Sequence, residues 1–267
     1  MKAKIFTYIY AVVGPRAFAF IFSIRGFVRG TGIRCRFSQH SNSFLVRDSS
    51  ITRSASTKSR ALMYIGGLNQ RGQNLFKTYL LDRIEFREDV LIVDCGANVG
   101  DFHLALRISL PHKFRYMGFE PSPHDFNSLK LNVVEDVNTQ IFKLALWNED
   151  KELDFYLDVE SASSSLIEPK RSTGITRVAS HRLDSLLKED VFLLKIEAEG
   201  AEPEVLAGAQ KVLQRIQYVV VDVGPERGIN EESTRDSVVE FLERNNFRLL
   251  HENRGHRKVV LFVNRNF

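Results

Sequence analysis

The stretch LIVDCGANVG, residues 91–100, places a short apolar run directly before a turn that contains two glycines. Such a run is typical of a strand buried on both faces, and residues 101–109 continue with the apolar spacing of a helix. Strand, glycine turn and helix in this order begin a doubly wound α/β sheet, whose ligands bind at the carboxyl ends of the strands. The stretch therefore predicts both the fold class and the place of a ligand site.

The rest of the chain alternates short apolar strands with amphipathic helices, which predicts a Rossmann-like, mostly parallel sheet. A final pair of strands adds an antiparallel edge to this sheet. The predicted strands are residues 90–94, 116–120, 139–146, 191–196, 218–223, 247–251 and 259–264, with an extra hairpin arm at 152–158. The predicted helices are residues 74–84, 101–109, 123–133, 203–213 and 234–245.

The glycine pattern distinguishes between two nucleotide cofactors. A nicotinamide dinucleotide site needs three spaced glycines, and counted from Gly96 the second and third positions hold Asn98 and Asp101. An aspartate at the helix start would repel a pyrophosphate, whereas the zwitterionic amino-acid end of S-adenosylmethionine tolerates it. We therefore expect S-adenosylmethionine. Gly96 would let the backbone approach it closely, and Gly100 would let the helix pack against the strand.

Two further strand ends complete the expected cofactor site. The second strand ends in GFEPSP, residues 118–123, where Glu120 can accept hydrogen bonds from both ribose hydroxyls. The third strand ends at Ala145 and Leu146, which would contact an adenine, although core packing explains these side chains equally well. The predicted cofactor contacts are Asp94, Gly96, Asn98, Gly100, Glu120, Pro121, Ser122, Ala145 and Leu146.

Together these segments resemble the FkbM-type methyltransferase family. The strongest match is LKIEAEGAE, residues 194–202, followed by EVLAGA, residues 204–209, and it resembles the family's LKIDVEGAE and EVLxGA block. The resemblance covers about residues 75–225, and it departs at Glu197 and Ala198, where the family usually has aspartate and valine. Other segments in the family's order are residues 93–100, 119–123, 163–166 and 182–186.

The resemblance implies a class I methyltransferase fold, S-adenosylmethionine as methyl donor, and often a hydroxyl of a sugar or polyketide-like product as acceptor. We predict an enzyme that methylates an oxygen of a sugar, glycolipid or secondary metabolite. One alternative is an NAD-dependent oxidoreductase or epimerase, against which the altered glycine pattern argues. The other is a non-catalytic nucleoside-binding module of the same fold, against which the intact Asp94, Gly96, Gly100 and Glu120 argue.

Three charged residues at the end of the fourth strand are candidates for catalysis. In an extended strand Lys195, Glu197 and Glu199 project to the same side, near the expected meeting point of donor and acceptor. Either glutamate could act as a base and Lys195 could stabilise an alkoxide, while a structural ion pair is an equally good interpretation. His181 is a second candidate base. No His or Cys spacing typical of a metal site is present, and we expect no metal.

Charge separates the N-terminal segment from the rest of the chain. Residues 1–60 hold 11 lysines and arginines and one acid, Asp48, a net charge of +10, whereas the remainder holds 26 basic and 32 acidic residues, a net charge of −6. We therefore expect no nucleic-acid partner for the acidic body. We divide the chain into a basic, partly apolar N-terminal extension, residues 1–70, and a methyltransferase domain, residues 71–267.

The extension admits several interpretations. Its apolar stretch, residues 5–24, contains Arg16, and an arginine at the bilayer centre costs about 3 kcal/mol, which disfavours a membrane span. A helical cap, an interfacial membrane anchor and a targeting segment stay open. Residues 38–59, rich in serine and poor in acids, predict an irregular link. Because the 2 cysteines cannot build a disulfide framework, we expect a cytoplasmic protein, with peripheral membrane contact and oligomeric state left open.

Overall fold

A computed structural model describes residues 12–49, 51–134, 136–158, 164–253, 255 and 257–267. Its strands are β1 (Arg34–Ser38), β2 (Ser43–Arg47), β3 (Thr52–Ala55), β4 (Val90–Cys95), β5 (Phe114–Phe119), β6 (Thr139–Phe142), β7 (Ala145–Leu146), β8 (Lys151–Leu157), β9 (Gly174–His181), β10 (Val191–Ile196), β11 (Ile216–Asp222), β12 (Pro225–Arg227), β13 (Glu232–Ser233), β14 (Phe247–Asn253) and β15 (Val259–Asn264). Its helices are α1 (Pro15–Val28), α2 (Lys58–Leu62), α3 (Leu68–Thr78), α4 (Asp101–Ser109), α5 (Pro123–Val133), α6 (Leu183–Leu186), α7 (Glu202–Gly208) and α8 (Arg235–Arg244), with 3₁₀ turns at Leu81–Arg83 and Leu213–Arg215.

The central sheet has seven strands in the order β14-β15-β11-β10-β4-β5-β6. The strands from β11 to β6 run parallel, and β15 and β14 join them antiparallel. The predicted doubly wound, Rossmann-like sheet with an antiparallel terminal pair is therefore confirmed. From β4 the chain first builds the sheet towards β6 and later returns to β10 on the other side. The strand order thus reverses between β4 and β10, and their carboxyl ends form the crevice where such folds bind ligands.

The strand β10 shows why these segments form the middle of the sheet. Every residue of its sequence VFLLKI is buried, because helices cover both faces of the sheet. Leu194 and Ile196 pack with side chains of α7 and α8 on one face. Leu193 packs on the other face with Phe102 and other side chains of α3 and α4. Continuous apolar character in a short strand therefore reflects burial on two sides.

Three predictions of local structure are wrong in the body of the chain, and one of them is the helix predicted at 203–213, which is α7 and ends at Gly208. Residues 139–146 do not form one strand, because β6 ends the central sheet and β7 joins β9 and β8 in a separate sheet of three strands. The helix predicted at 74–84 is α3, which ends at Thr78, and Leu80 takes a left-handed φ of 59°. The apolar spacing of a helix extends in the sequence beyond Thr78, because Leu81, in the 3₁₀ turn, packs in the same core as Leu75 of α3.

The predicted irregular link at 38–59 is also wrong over most of its length. The strands β1, β2 and β3 form an antiparallel sheet of three strands. Phe44 and Val46 of this sheet pack with Phe18 and Phe22 of α1 and with Leu104 of α4, so α1 caps a small core against the body. These three strands are short and have few apolar residues that face inward. The alternation of apolar and polar residues was therefore too weak to predict the sheet.

The outer face of α1 is apolar. Phe20, Ile24 and Phe27 are 68%, 48% and 82% exposed. None of the helices in the described ranges has the length and apolar character needed to cross a bilayer. Residues 5–11 of the predicted apolar stretch, and Ser163 of a family segment, lie outside the described residues. The domain boundary at residue 70, the peripheral membrane contact and the cytoplasmic location stay predictions.

Arg53 of β3 connects the N-terminal sheet to the glycine turn. Its side chain is 3% exposed and donates hydrogen bonds to the carbonyl oxygens of Val99 (3.2 Å), Gly100 (2.5 Å) and Asn132 (3.0 Å). The Asn132 side chain also accepts a hydrogen bond from the Ser54 amide (2.6 Å) and donates one to the Ser54 carbonyl (2.8 Å). The N-terminal sheet is thus fastened to the turn and to α5.

We expect Arg53→Met to lower the free energy of unfolding by about 2–3 kcal/mol, because buried carbonyls would lose a charged donor. Urea denaturation followed by circular dichroism measures the change. Arg47→Met removes an exposed arginine from β2 and serves as the control, with an expected change within about 0.5 kcal/mol. Equal stability of the two variants would show that Arg53 does not fasten the sheet.

Candidate functional site

The glycine turn after β4 forms the floor of a pocket at the carboxyl end of the sheet. Gly96 has a φ of 75°, and a Cβ there would lie 1.9 Å from the carbonyl oxygen of Glu197, so a side chain has no room. Gly100 has a φ of 86°, and its Cβ would meet the Arg53 guanidinium at 2.9 Å and Leu129 of α5 at 3.0 Å. Its predicted role in packing helix against strand is therefore corrected, since the close neighbours are Arg53 and α5.

Glu120, directly after β5, is held by two backbone amides. Its Oε2 accepts a hydrogen bond from the Asn98 amide (2.7 Å), and its Oε1 accepts one from the Ser122 amide (2.7 Å). Burial, together with the charge of Asp125, raises the pKa of Glu120 to about 8. A carboxylate has about four lone-pair positions, so two remain for the hydroxyls of a ligand in the pocket.

Asp94 and Lys195 form a buried pair, of which only Lys195 lines the pocket. They occupy facing positions on β4 and β10, and their side chains are 0% and 1% exposed. The Lys195 ammonium lies 2.9 Å from Asp94 Oδ1 and donates hydrogen bonds to the carbonyl oxygens of Cys95 (3.2 Å) and Gly96 (2.8 Å). Tyr116 donates a hydrogen bond to Asp94 Oδ2. The predicted direct contact of Asp94 with a cofactor is therefore corrected, because this carboxylate faces Lys195 and Tyr116 behind the pocket wall.

Glu197, just beyond β10, joins three distant parts of the chain. Its carboxylate accepts hydrogen bonds from Tyr79 and Arg257, and its Oε2 lies 3.2 Å from the Lys195 ammonium. Burial raises the pKa of Glu197, but the charges of Lys195 and Arg257 outweigh it and hold the pKa well below its usual range. So weak a base is poorly suited to take a proton, and the geometry favours the structural ion pair.

Glu199 does not continue the strand as predicted. The strand β10 ends at Ile196, and Glu199 has a left-handed φ of 50°, so Lys195, Glu197 and Glu199 do not share one extended face. Glu202 holds this loop, because its Oε1 accepts hydrogen bonds from the amides of Ala198 (2.9 Å) and Gly200 (3.1 Å). Glu202, the last residue of the family motif at 194–202, therefore fixes the conformation of the loop within that motif.

Two glutamates with raised pKa values meet at the pocket wall. Glu199 and Glu226 both line the pocket and also line an adjoining groove. Burial and the charge of Glu226 raise the pKa of Glu199 well above its usual range. Burial and the charge of Asp222 raise the pKa of Glu226 to about 8. The protonation of Glu226 therefore changes near neutral pH and above, as that of Glu120 does, and Glu199 is a weaker acid than an exposed glutamate.

The pocket brings together most of the residues predicted from the sequence. The predicted residues that line it are Gly96, Asn98, Glu120, Pro121, Ser122, Ala145, Leu146, Lys195, Glu197 and Glu199. Asp94 and Gly100 are not among its lining residues. The other candidate base, His181, lies outside the lining, 40% exposed and 3.5 Å from Asp150. Within the described ranges, no group of three or more His, Cys, Asp and Glu side chains is arranged to hold a metal ion.

Several lining residues were missed at the sequence level. Arg60, Met63 and Arg71 come from the N-terminal part of the chain, and Arg257 comes from its C-terminal end. No sequence motif marks these four positions. Glu226, another lining residue that was missed, did offer a chemical signal, because it is an acid that follows the fifth predicted strand.

Comparison with known proteins identifies the family. The model of the methyltransferase FkbM domain matches residues 94–249. The chain belongs to the FkbM methyltransferase family. Members of this family use S-adenosylmethionine, so the predicted family, fold class and cofactor are confirmed, and with them the coarse function of a methyltransferase. The oxidoreductase alternative is excluded.

Individual relatives of this FkbM methyltransferase are distant. Methyltransferase 1 of Beauveria bassiana (strain ARSEF 2860) is 27% identical over 183 residues, which cover 58% of this chain and 73% of that protein. The crystal structure of methyltransferase FkbM from Methylobacillus flagellatus KT has a TM-score of 0.50 at 14% identity, with 72% of this chain covered and 47% of that one. This chain thus spans about half the length of that protein. Aeropyrum pernix fibrillarin with bound S-adenosyl-L-methionine gives a TM-score of 0.46 at 13% identity, with 87% and 94% covered.

The residues of the pocket fit S-adenosylmethionine. Glu120 offers two free lone-pair positions, which suits the two ribose hydroxyls. Ala145 and Leu146 provide a small apolar wall for an adenine. Gly96 keeps the floor free of a side chain where a Cβ would collide with the Glu197 backbone. The lining therefore offers a matching surface for each part of the nucleoside.

We expect S-adenosylhomocysteine binding at pH 7 to release most of a proton. Glu120 has a pKa of about 8 and is mainly protonated at pH 7, whereas two donating ribose hydroxyls favour its ionised form. Binding therefore lowers the pKa of Glu120, and the affinity should rise with pH and level off above about 8. Calorimetry in two buffers of different ionisation enthalpy measures the released proton. Glu120→Gln should bind more weakly and release none, and an affinity of the unaltered protein that is independent of pH would contradict this account.

Proposed function

We propose that this methyltransferase transfers its methyl group to an oxygen of a hydroxylated small molecule or glycan, such as a sugar, a glycolipid or a secondary metabolite. The observation that carries the proposal is the position of Glu199 and Glu226. Both carboxyls stand between the cofactor pocket and an adjoining groove, and the pKa of each is raised. They stand where an acceptor lying in the groove would reach the methyl donor.

Methylation of a hydroxyl requires a base, because the acceptor oxygen must lose its proton. A base is most effective when its pKa lies near the working pH, and Glu226, with a pKa of about 8, meets this condition. When bound, S-adenosylmethionine would supply an electrophilic methyl group on its sulfonium, and its methyl–sulfur bond would break as the acceptor oxygen bonds to the methyl carbon, leaving S-adenosylhomocysteine. The carboxylate of Glu226 or Glu199 would take the acceptor proton. The predicted alkoxide contact of Lys195 is not part of this scheme, because its ammonium is occupied by Asp94, Glu197 and the turn.

A serine of the family's SSSL segment supports this arrangement. The Ser165 hydroxyl donates a hydrogen bond to the Glu199 carbonyl oxygen (2.8 Å) and accepts one from the Ile167 amide (3.0 Å). Ser165 is 2% exposed and also lines the groove. It therefore fixes the backbone of Glu199 at the junction of the pocket and the groove.

The polar lining of the groove suits a hydroxylated acceptor. Asp158, Glu199, Glu226 and Glu231 line it together with Lys170 and Arg171, and Lys170 pairs with Glu231 at 3.1 Å. Carboxyl groups exchange hydrogen bonds with hydroxyls. The excess of acids in residues 61–267 disfavours a nucleic acid as acceptor.

We expect a new O-methyl signal when the protein is incubated with methyl-¹³C-labelled S-adenosylmethionine and fractions of sugars, glycolipids and hydroxylated metabolites. Carbon NMR of the product separates O-methyl from N-methyl and C-methyl groups. RNA and amine acceptors are tested in parallel, and transfer only to these would overturn the proposal.

On such an acceptor, Glu226→Gln and Glu199→Gln should lower kcat, by about 10²- to 10⁴-fold for the glutamate that takes the proton. Both variants should retain S-adenosylhomocysteine affinity. Glu232→Gln alters an exposed acid on the neighbouring β13 and should leave kcat unchanged. Full activity in both Gln variants would exclude this pair as the base.

A further inference from the structure

An ion pair joins the N-terminal part of the chain to the start of the helix after the glycine turn. Arg71 of α3 contacts Asp101, the first residue of α4, with its Nε at 3.0 Å and its Nη2 at 2.8 Å from Oδ2. Tyr64 donates a hydrogen bond of 2.5 Å to the other oxygen, Oδ1. Tyr64 and Arg71 both lie before residue 94, where the family match begins.

This pair is rigidly placed. The side chains of Arg71 and Asp101 are only 23% and 14% exposed. Beside Arg71, Gly72 lets α3 approach α4 so closely that a Cβ would lie 2.6 Å from the Ile108 side chain. Burial raises the pKa of Asp101, but Arg71 and Tyr64 outweigh it and lower the pKa below its usual value. Both charges are therefore present at neutral pH and are held in fixed positions.

The pair also retains hydrogen-bonding capacity. Arg71 uses Nε and Nη2 for Asp101, and Nη2 also approaches the Met63 sulfur at 3.4 Å. Within the part of the chain that the structure describes, Nη1 has no hydrogen-bond partner. The Asp101 carboxylate receives three hydrogen bonds, one fewer than its lone pairs allow. One cationic donor and one anionic acceptor position thus remain side by side.

The lining of the pocket shows what these positions share. Arg71 and Asp101 line the same pocket as the glycine turn and Glu120. Leu146 also lines it, and Asp101 begins the helix that follows the turn. With adenine at Leu146 and ribose at Glu120, the pair offers the charges that match the remaining end of the cofactor. That end carries one carboxylate and one ammonium.

We propose that Arg71 and Asp101 bind the zwitterionic amino-acid end of S-adenosylmethionine, so that a segment outside the matched family domain completes the cofactor site. The Nη1 of Arg71 donates to the ligand carboxylate, and Asp101 accepts from its ammonium. The inference rests on the family's methyl donor and does not depend on which acceptor atom is methylated. It also gives a function to the aspartate that replaces the third glycine of a dinucleotide site.

Two ligands separate this role from general support of the pocket. S-adenosylhomocysteine carries the amino-acid end, whereas 5′-methylthioadenosine keeps adenine and ribose and lacks it. Calorimetry should show that Arg71→Met weakens S-adenosylhomocysteine binding by about 10- to 100-fold, the usual effect of a charge-assisted hydrogen bond. The affinity for 5′-methylthioadenosine should change by less than about twofold, since Arg71 does not contact the nucleoside.

Further variants serve as controls. Lys77→Met removes an exposed cation from the same helix and should leave both affinities unchanged. Arg71→Lys keeps the charge and should recover part of the preference for S-adenosylhomocysteine, also if Arg71→Met proves unstable in urea. Equal weakening of both ligands, or no weakening of either, would overturn the proposal. These results do not involve the acceptor, so they stand apart from the test of oxygen methylation.

Discussion

The buried ammonium of Lys195 holds together the two strands between which the sheet changes direction. Removing a cation from water is costly, and here Asp94 at 2.9 Å, Glu197 at 3.2 Å and two backbone carbonyls compensate for it. Burial lowers the pKa of Lys195, but the two carboxylates outweigh it and raise the pKa. Because one of the carbonyls belongs to Gly96, the same ammonium fixes the turn that forms the floor of the cofactor pocket.

The carboxylates of the site differ in function because their surroundings differ. Glu197 lies between two cations and stays ionised, which suits a residue that holds β10 to Arg257 and Tyr79. Glu199 and Glu226 lie among other acids, and their raised pKa values suit proton transfer. Glu197 has one methylene more than the family's usual aspartate. With this longer side chain it contacts both Lys195 and Arg257. This departure from the motif is therefore part of the ion-pair network.

Local sequence patterns predicted the parts of the fold that depend on local order. The run ending at Asp94, the turn glycines and the acid Glu120 after β5 could be placed because strand, turn and helix follow each other directly. Tyr79, Arg71 and Arg257 could not, since Tyr79 and Arg257 meet Glu197 from 118 and 60 residues away and no spacing rule relates them. A carboxylate's basicity likewise depends on such partners. The sequence could name Glu197 as a candidate base but could not show that two cations make it a poor one.

The most direct test of the central claim is to measure unfolding and S-adenosylhomocysteine binding of Lys195→Met together. Buried Asp94 would lose its cation and Glu197 would lose one of its two. The account therefore predicts a loss of about 3–5 kcal/mol in the free energy of unfolding and a weaker affinity, because the turn carbonyl loses its donor. Lys188→Met, which removes an exposed lysine before β10, should change neither quantity. A Lys195→Met protein with unaltered stability and unaltered affinity would contradict the account.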